Sequence, residues 1–89
     1  MRITRHAAAR QTQRRIPDRM FRLIRDHARP VPSRGAVSLM LDDDTIDLIA
    51  EDDRHHRQRL RRFRGAYLIE GEDGRIVTVA WSRRRHRRR

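Results

Sequence analysis

The chain has 89 residues, of which 36% are apolar and 39% are charged. This length fits one small domain with a modest core. The sequence has no cysteine, which excludes disulfides, thiol catalysis and thiolate zinc sites. No segment approaches the ~20 apolar residues of a membrane span, and no run suits a signal peptide, so we expect a cytoplasmic protein that does not bind membranes.

The net charge is +11, and all 23 cationic residues are arginine. A chain this basic is expected to bind polyanions, because each guanidinium group can hold a phosphate through two hydrogen bonds. A GC-rich genome is the competing explanation for the arginine bias. With two Phe, one Tyr and one Trp, the chain lacks the interleaved aromatic residues of a typical platform for stacking single-stranded bases.

The N-terminal third predicts two helices. Thr4 is a good N-cap for a helix over residues 5–15, whose apolar content is alanine. Pro17 then favours the start of a second helix, over residues 17–28. The apolar residues of that helix recur at helical spacing and predict a face that packs on the core: Ile16, Met20, Phe21, Leu23, Ile24 and Ala28.

The middle of the chain predicts a loop over residues 30–35, a strand over residues 36–41 and a helix that begins near residue 45. This helix either ends near Asp53 or continues through Phe63. The acidic residues 42–53 suit helix capping and pairing with the arginines of residues 54–64 better than they suit metal binding, because consecutive carboxylates do not converge. We predict no metal and no cofactor.

Residues 66–81 predict an antiparallel hairpin. Asp73 and Gly74 stand between two β-rich runs and favour a two-residue type I′ turn. A turn of that length would pair Ile69 with Thr78. It would also place Leu68, Val77, Val79 and Trp81 on one face and Tyr67, Ile69, Ile76 and Thr78 on the other. The run after Ser82 repels itself and predicts a disordered tail over residues 83–89.

Three residues of the first helix form the strongest candidate site. His6, Arg10 and Arg14 are spaced at i, i+4 and i+8, which places them along one side of the helix. A histidine beside guanidinium groups suits cleavage of an RNA backbone, since one group moves the 2′-hydroxyl proton while the others offset charge on the phosphate. The same spacing also occurs on a basic helix face that is simply exposed to solvent. Thr78, in the predicted strand, is a further candidate for phosphate contact, but a threonine at this position is also ordinary in a β-sheet.

The N-terminal motif and the C-terminal hairpin resemble a family of small basic bacterial proteins of uncharacterised function. The N-terminal match is Thr4 to Ala7, with Arg10, Arg14 and the pair Ile16 and Pro17. The C-terminal match is residues 66–69 and 73–79 with the basic tail. That family resembles toxins of the RelE and BrnT kind, which pack N-terminal helices on an antiparallel sheet and cut RNA without a metal.

The resemblance implies that His6, with Arg10 or Arg14, faces Thr78 on the sheet. The chain departs from the family pattern at Gln11, where an apolar residue is expected, and at Arg15, where a glycine would end the helix. Residues 80–82 also differ, because they replace a glycine, histidine and arginine segment. These departures predict that the first helix packs or ends differently in this chain and that the chain is a weak enzyme or no enzyme.

These observations predict an α+β domain over residues 1–82, with N-terminal helices packed on a small antiparallel sheet of three or four strands. The preferred function is a toxin-like RNA-binding protein and metal-independent endoribonuclease of the toxin-antitoxin type, with an acidic antitoxin as protein partner. The alternative is a non-enzymatic basic protein that binds nucleic acid, a ribosome, or an acidic protein or nucleoprotein partner, as an inhibitor or regulator of a mobile element. A third possibility is a protein that associates with itself. The predicted catalytic residues are His6, Arg10, Arg14 and Thr78, and the predicted nucleic-acid contacts are Arg5, Tyr67, Arg83, Arg84, Arg85 and Arg87.

Overall fold

The computed structural model describes residues 2–82, and the predicted tail lies outside them. These residues form an α+β fold, as expected, with four helices and one four-stranded antiparallel sheet. None of the described helices has the length and apolar character needed to cross a membrane. In chain order the elements are α1 (Arg5–Arg14), α2 (Asp18–His27), β1 (Val31–Ser33), β2 (Ala36–Met40), α3 (Asp43–Ala50), α4 (Arg54–Arg61), β3 (Ala66–Glu70) and β4 (Ile76–Trp81).

The strands lie side by side in the order β1-β2-β3-β4, and all their pairings are antiparallel. Leu39, Leu68 and Val79 stand opposite one another on the three long strands and are buried. Because side chains alternate along a strand, their neighbours Ser38, Ile69 and Thr78 form the matching row on the other face. We call these two sides the core face and the outer face of the sheet.

Helix α2 supplies the apolar layer that covers the core face. Met20, Phe21 and Ile24 are buried, as the helical spacing of the apolar residues predicts. Ile46 of α3 and Leu60 of α4 complete the same core. Each side chain buried in this way contributes roughly 1.5–3 kcal/mol relative to its exposure to water.

Helix α1 lies along β4. The Thr4 hydroxyl caps it by accepting a hydrogen bond from the Ala7 backbone N–H at 3.1 Å, which confirms the predicted N-cap. Residues 2–4 join the sheet edge, since the Ile76 N–H donates to the carbonyl of Arg2 and the Ile76 carbonyl accepts from the N–H of Thr4. The first helix is therefore fixed to the strand that carries Thr78.

The predicted loop over residues 30–35 is wrong, because Val31–Ser33 forms the edge strand β1. Ser33 pairs with Ala36, so Arg34 and Gly35 make a two-residue turn. Both have positive φ, 50° and 80°, as a type I′ turn requires. Arginine is rare at such a position, and the turn was therefore not recognised in the sequence.

Residues 45–64 form two separate helices rather than one helix that continues through Phe63. Helix α3 ends at Ala50, and Glu51 leaves the helix with a φ of 52°. The Asp53 carboxylate then begins α4 by accepting a hydrogen bond from the His56 backbone N–H at 3.0 Å. Asp42 caps α3 in the same way through the N–H of Thr45. The acidic residues thus act as caps, as the sequence predicts.

The β3–β4 hairpin has the predicted strands but not the predicted turn. Gly71 and Arg75 close a longer loop through a 2.8 Å hydrogen bond, and Gly74 within it has a φ of 83°. A bulge near Val77 then restores the predicted pairing of Ile69 with Thr78. Between the two irregularities Ile76 stands opposite Glu70 and is fully buried, so its predicted place on the face of Thr78 is wrong.

Candidate nucleic-acid interface

The predicted row on α1 exists, because α1 is continuous from residue 5 to residue 14. His6 and Arg14 are exposed and Arg10 is half-buried. The buried side of the helix is marked by Ala7 and by Gln11, whose amide donates to the Ile16 carbonyl at 2.9 Å and to the Asp18 carboxylate. Gln11 therefore holds the connection between α1 and α2.

The C-terminal end of α1 meets the outer face of the sheet in an open groove of about 630 Å³. Arg14 lies on one side of this groove and Tyr67 on its floor, so the structure brings together two of the predicted site residues. The lining contains no carboxylate within the described part of the chain, and Arg14 is its charged residue. The groove is lined by Arg14, Ser38, Met40, Tyr67, Ala80, Trp81 and Ser82.

Trp81 fixes the geometry of the groove. Its indole N–H donates to the Arg14 backbone carbonyl at 3.1 Å, which ties the last turn of α1 to the end of β4. Its ring also stacks on Phe63, with the ring centroids 6.2 Å apart and the planes 12° from parallel. Trp81 therefore holds the backbone of Arg14 beside the sheet.

Thr78 belongs to the outer face but does not line the groove. It pairs with Ile69, while Tyr67 pairs with Ala80, so the two hydroxyl residues are diagonal neighbours on adjacent strands. Neither hydroxyl has a hydrogen-bond partner among residues 2–82. Both are therefore free to bind a ligand. The outer face of β2, β3 and β4 carries no charge: its residues are Ala36, Ser38, Met40, Tyr67, Ile69, Thr78 and Ala80.

Two predicted residues of α1 do not meet the sheet residues directly. His6 is exposed at the other end of the row from Arg14, and within the described chain its imidazole makes no hydrogen bond and no ion pair. Arg5 is exposed at the start of α1 and lies outside the groove lining. The predicted contacts of the tail fall outside the described residues: they are Arg83, Arg84, Arg85 and Arg87.

The outer face continues beyond the groove into a second depression of about 420 Å³. The two share Ser38 and Met40, and the second also includes Val31 and Leu48, which are 52% and 60% exposed. Sequence reasoning missed the role of Ser38 and Met40. Their alternation with buried Leu39 is the period-two signal that could have placed them on an open face.

No group of three or more histidine or acidic side chains within residues 2–82 could hold a metal ion. The groove itself presents the guanidinium group of Arg14 and the hydroxyl groups of Ser38, Tyr67 and Ser82.

No protein family, no curated protein and no solved structure matches this chain. The resemblance to RelE and BrnT toxins therefore stays a prediction, and the function has to be argued from the interface itself.

Proposed function

We propose that this protein binds single-stranded RNA on the outer face of its sheet, with the phosphates held by the arginines of α1. The observation that carries this proposal is the groove in which Arg14 stands beside Tyr67 and the uncharged end of β4. A polynucleotide strand has a charged backbone on one side and apolar bases on the other. A surface with arginine along one border and an uncharged floor complements both.

Single-stranded RNA fits this surface better than a duplex does. The groove is open and its floor is formed by side chains of the sheet, so it offers no helix or ribbon that could enter a groove of a double helix. Exposed bases can lie on Tyr67, and the free hydroxyls of Tyr67 and Thr78 can bind phosphate or the ribose 2′-hydroxyl. The net charge of +11 adds long-range attraction for any polyanion.

A second activity, cleavage of the bound strand without a metal, is favoured by the position of His6. Its imidazole is exposed and unpartnered among residues 2–82, and it begins the same row as Arg10 and Arg14. The reaction needs two proton transfers: one from the ribose 2′-hydroxyl and one to the leaving 5′ oxygen. His6 carries out one of them, and water carries out the other. The ribose 2′ oxygen loses its proton and attacks the adjacent phosphorus, and the bond to the 5′ oxygen breaks. The products are a 2′,3′-cyclic phosphate and a 5′-hydroxyl end.

The binding proposal predicts that Arg14→Gln and Tyr67→Ala both weaken RNA binding, by different physical routes. Loss of Arg14 should reduce the slope of log affinity against log salt concentration by about 0.7, the value for one phosphate contact on a single strand. Loss of the Tyr67 ring should lower affinity about fivefold or more and leave the slope unchanged, because stacking involves no counterion release. Fluorescence anisotropy with a 2′-O-methylated oligonucleotide, which cannot be cleaved through its 2′ oxygen, measures both quantities.

The matched control is Arg22→Gln, which removes the same charge from the exposed side of α2. If Arg14→Gln and Arg22→Gln change binding equally, net charge explains the affinity and the groove is not the site. Wild-type protein that binds duplex DNA as tightly as single-stranded RNA at the same salt concentration would also contradict the proposal.

The cleavage proposal predicts that purified wild-type protein produces RNA fragments with 2′,3′-cyclic phosphate ends in the presence of EDTA. His6→Ala should slow this reaction by about 100-fold or more, the usual cost of losing a general acid or base. His27→Ala is the control, since it removes an exposed histidine from the last turn of α2. An uncleaved RNA, or equal rates for the two variants, would leave the protein as a binding protein without this activity.

A further inference from the structure

Helix α4 presents a second basic surface outside the groove. Its buried side is marked by Leu60, which is 1% exposed. Arg54, Gln58 and Arg62 follow one line on the opposite side at i, i+4 and i+8, and Arg59 lies next to that line. All four side chains are exposed, and this face of the helix contains no acidic residue.

The arginines of this region differ in their partners. Two of them are neutralised by carboxylates of α3: Arg57 pairs with Asp47 at 3.2 Å, and Arg64 pairs with Asp43 at 2.9 Å. Arg57 also donates to the backbone carbonyl of Glu51 at 2.6 Å.

The arginines on the exposed side are not neutralised in this way. Arg54, Arg59 and Arg62 form neither an ion pair nor a side-chain hydrogen bond with any residue of 2–82. Their charge is therefore available to a partner from outside the chain.

The exposed arginines are carried by a helix that is fixed at both ends. At its start the His56 N–H binds Asp53, and this hydrogen bond is the main cause of the lowered pKa of the Asp53 carboxyl. The cap is thus strongest when the carboxyl is ionised and weakens as the pH falls through that lowered pKa. Just beyond the end of α4, Phe63 stacks on Trp81, the residue that also holds Arg14 at the groove.

We propose that the exposed face of α4, formed by Arg54, Gln58, Arg59 and Arg62, is a second binding surface for the nucleic-acid backbone. It rests on the proposed function, because its ligand is the same RNA strand where that strand extends past the groove. Phe63, just beyond the end of α4, stacks on Trp81 of the groove lining, so a strand that leaves the groove past Trp81 comes to the end of α4 that carries Arg62. Charge complementarity selects the ligand: this face offers guanidinium and amide donors, and a phosphate backbone offers only acceptors.

The test compares two double variants with equal charge. Arg59→Gln with Arg62→Gln removes two charges from α4, and Arg19→Gln with Arg22→Gln removes two from the exposed side of α2, where Asp18 and Asp26 already weaken the local field. Each is measured with a short oligonucleotide of about five nucleotides and a long one of about 20, because a single small binding domain covers roughly 4–16 nucleotides. Matching circular dichroism spectra verify that both variants keep the wild-type helices.

We expect the α4 variant to reduce the salt slope for the long oligonucleotide by about 1.4, which corresponds to two phosphate contacts, and to leave the short one unchanged. The α2 variant should change neither slope by more than a small fraction of that amount. Equal effects of the two variants, or a long-strand slope unchanged in the α4 variant, would overturn this proposal. Failure of the wild-type protein to bind either oligonucleotide would instead overturn the proposed function.

Discussion

Arg15 ends α1 in a left-handed backbone conformation, with φ at 58° and ψ at 48°. Glycine is the residue that adopts such a conformation without a steric cost. The backbone N–H of Arg15 bonds to the carbonyl of Thr12 at 3.3 Å and closes the helix. An L-residue in this conformation is strained by roughly 1–2 kcal/mol.

We therefore predict that Arg15→Gly raises the free energy of unfolding by about 1 kcal/mol, because it relieves that strain. For a domain of this size the gain corresponds to a midpoint temperature higher by about 4–8 °C in a thermal melt. Arg15→Gln separates the loss of charge from the relief of strain and should leave the midpoint nearly unchanged. Gln13→Gly, within the same helix but in ordinary helical conformation, should lower stability by about 1 kcal/mol. A destabilising Arg15→Gly would contradict this account.

Among the elements, local spacing predicts the helix cap and the apolar helix face, whereas it does not predict contacts between residues distant in sequence. The Thr4 cap and the apolar face of α2 follow from spacing within one turn or two, and both are confirmed. The burial of Ile76 depends on a bulge in β4, and the groove depends on the bond between Trp81 and Arg14. Trp81 and Arg14 are 67 positions apart in sequence, and the residues around each of them do not predict the contact.

The two hairpins show how a turn signal can mislead. Asp73 and Gly74 match the composition of a two-residue type I′ turn, but the chain there forms a longer loop that places Gly74 in the left-handed region. The positive-φ pair that such a turn requires occurs instead at Arg34 and Gly35. At the β3–β4 hairpin the longer loop lets Ile76 reach the core face, where it is fully buried.

We predict that Arg34→Asn stabilises the β1–β2 hairpin, since asparagine tolerates positive φ far better than arginine does. The expected gain in the free energy of unfolding is about 0.5–1 kcal/mol. Arg34→Ala is the control, because it removes the same charge without favouring that conformation and should give no such gain. Urea denaturation of the three proteins provides the measurement. Equal stability of the two variants would show that the turn conformation does not limit the stability of this hairpin.

Across residues 2–82, some acidic residues neutralise arginines and others cap helices. Asp43 and Asp47 bind the inner arginines of α4, and Glu70 binds Arg25 of α2 at 3.0 Å. The pairs are partly exposed, so each contributes roughly 0–1 kcal/mol. Their larger effect is on charge distribution, because they leave the unpaired cations on α1 and on the exposed side of α4.

Residues 83–89 hold six further arginines directly after Ser82, which lines the groove. We predict that deleting them reduces the salt slope of RNA binding by about 0.7 for each arginine that contacts phosphate, up to about 4 in all. Replacement by a glycine and serine segment of equal length should have the same effect as deletion, because the contribution is one of charge. A slope unchanged by either variant would show that the tail makes no phosphate contact.

The same titration tests whether the tail and the groove act independently. Tyr67→Ala should lower affinity by an equal factor in the full-length and truncated proteins, because stacking on the outer face needs no charge from the tail. The slope of log affinity against log salt concentration should then depend only on whether the tail is present. The affinity at a fixed salt concentration should depend on both the truncation and Tyr67→Ala. If truncation instead abolishes the effect of Tyr67→Ala, the tail places the strand on the sheet, and the groove cannot bind RNA without it.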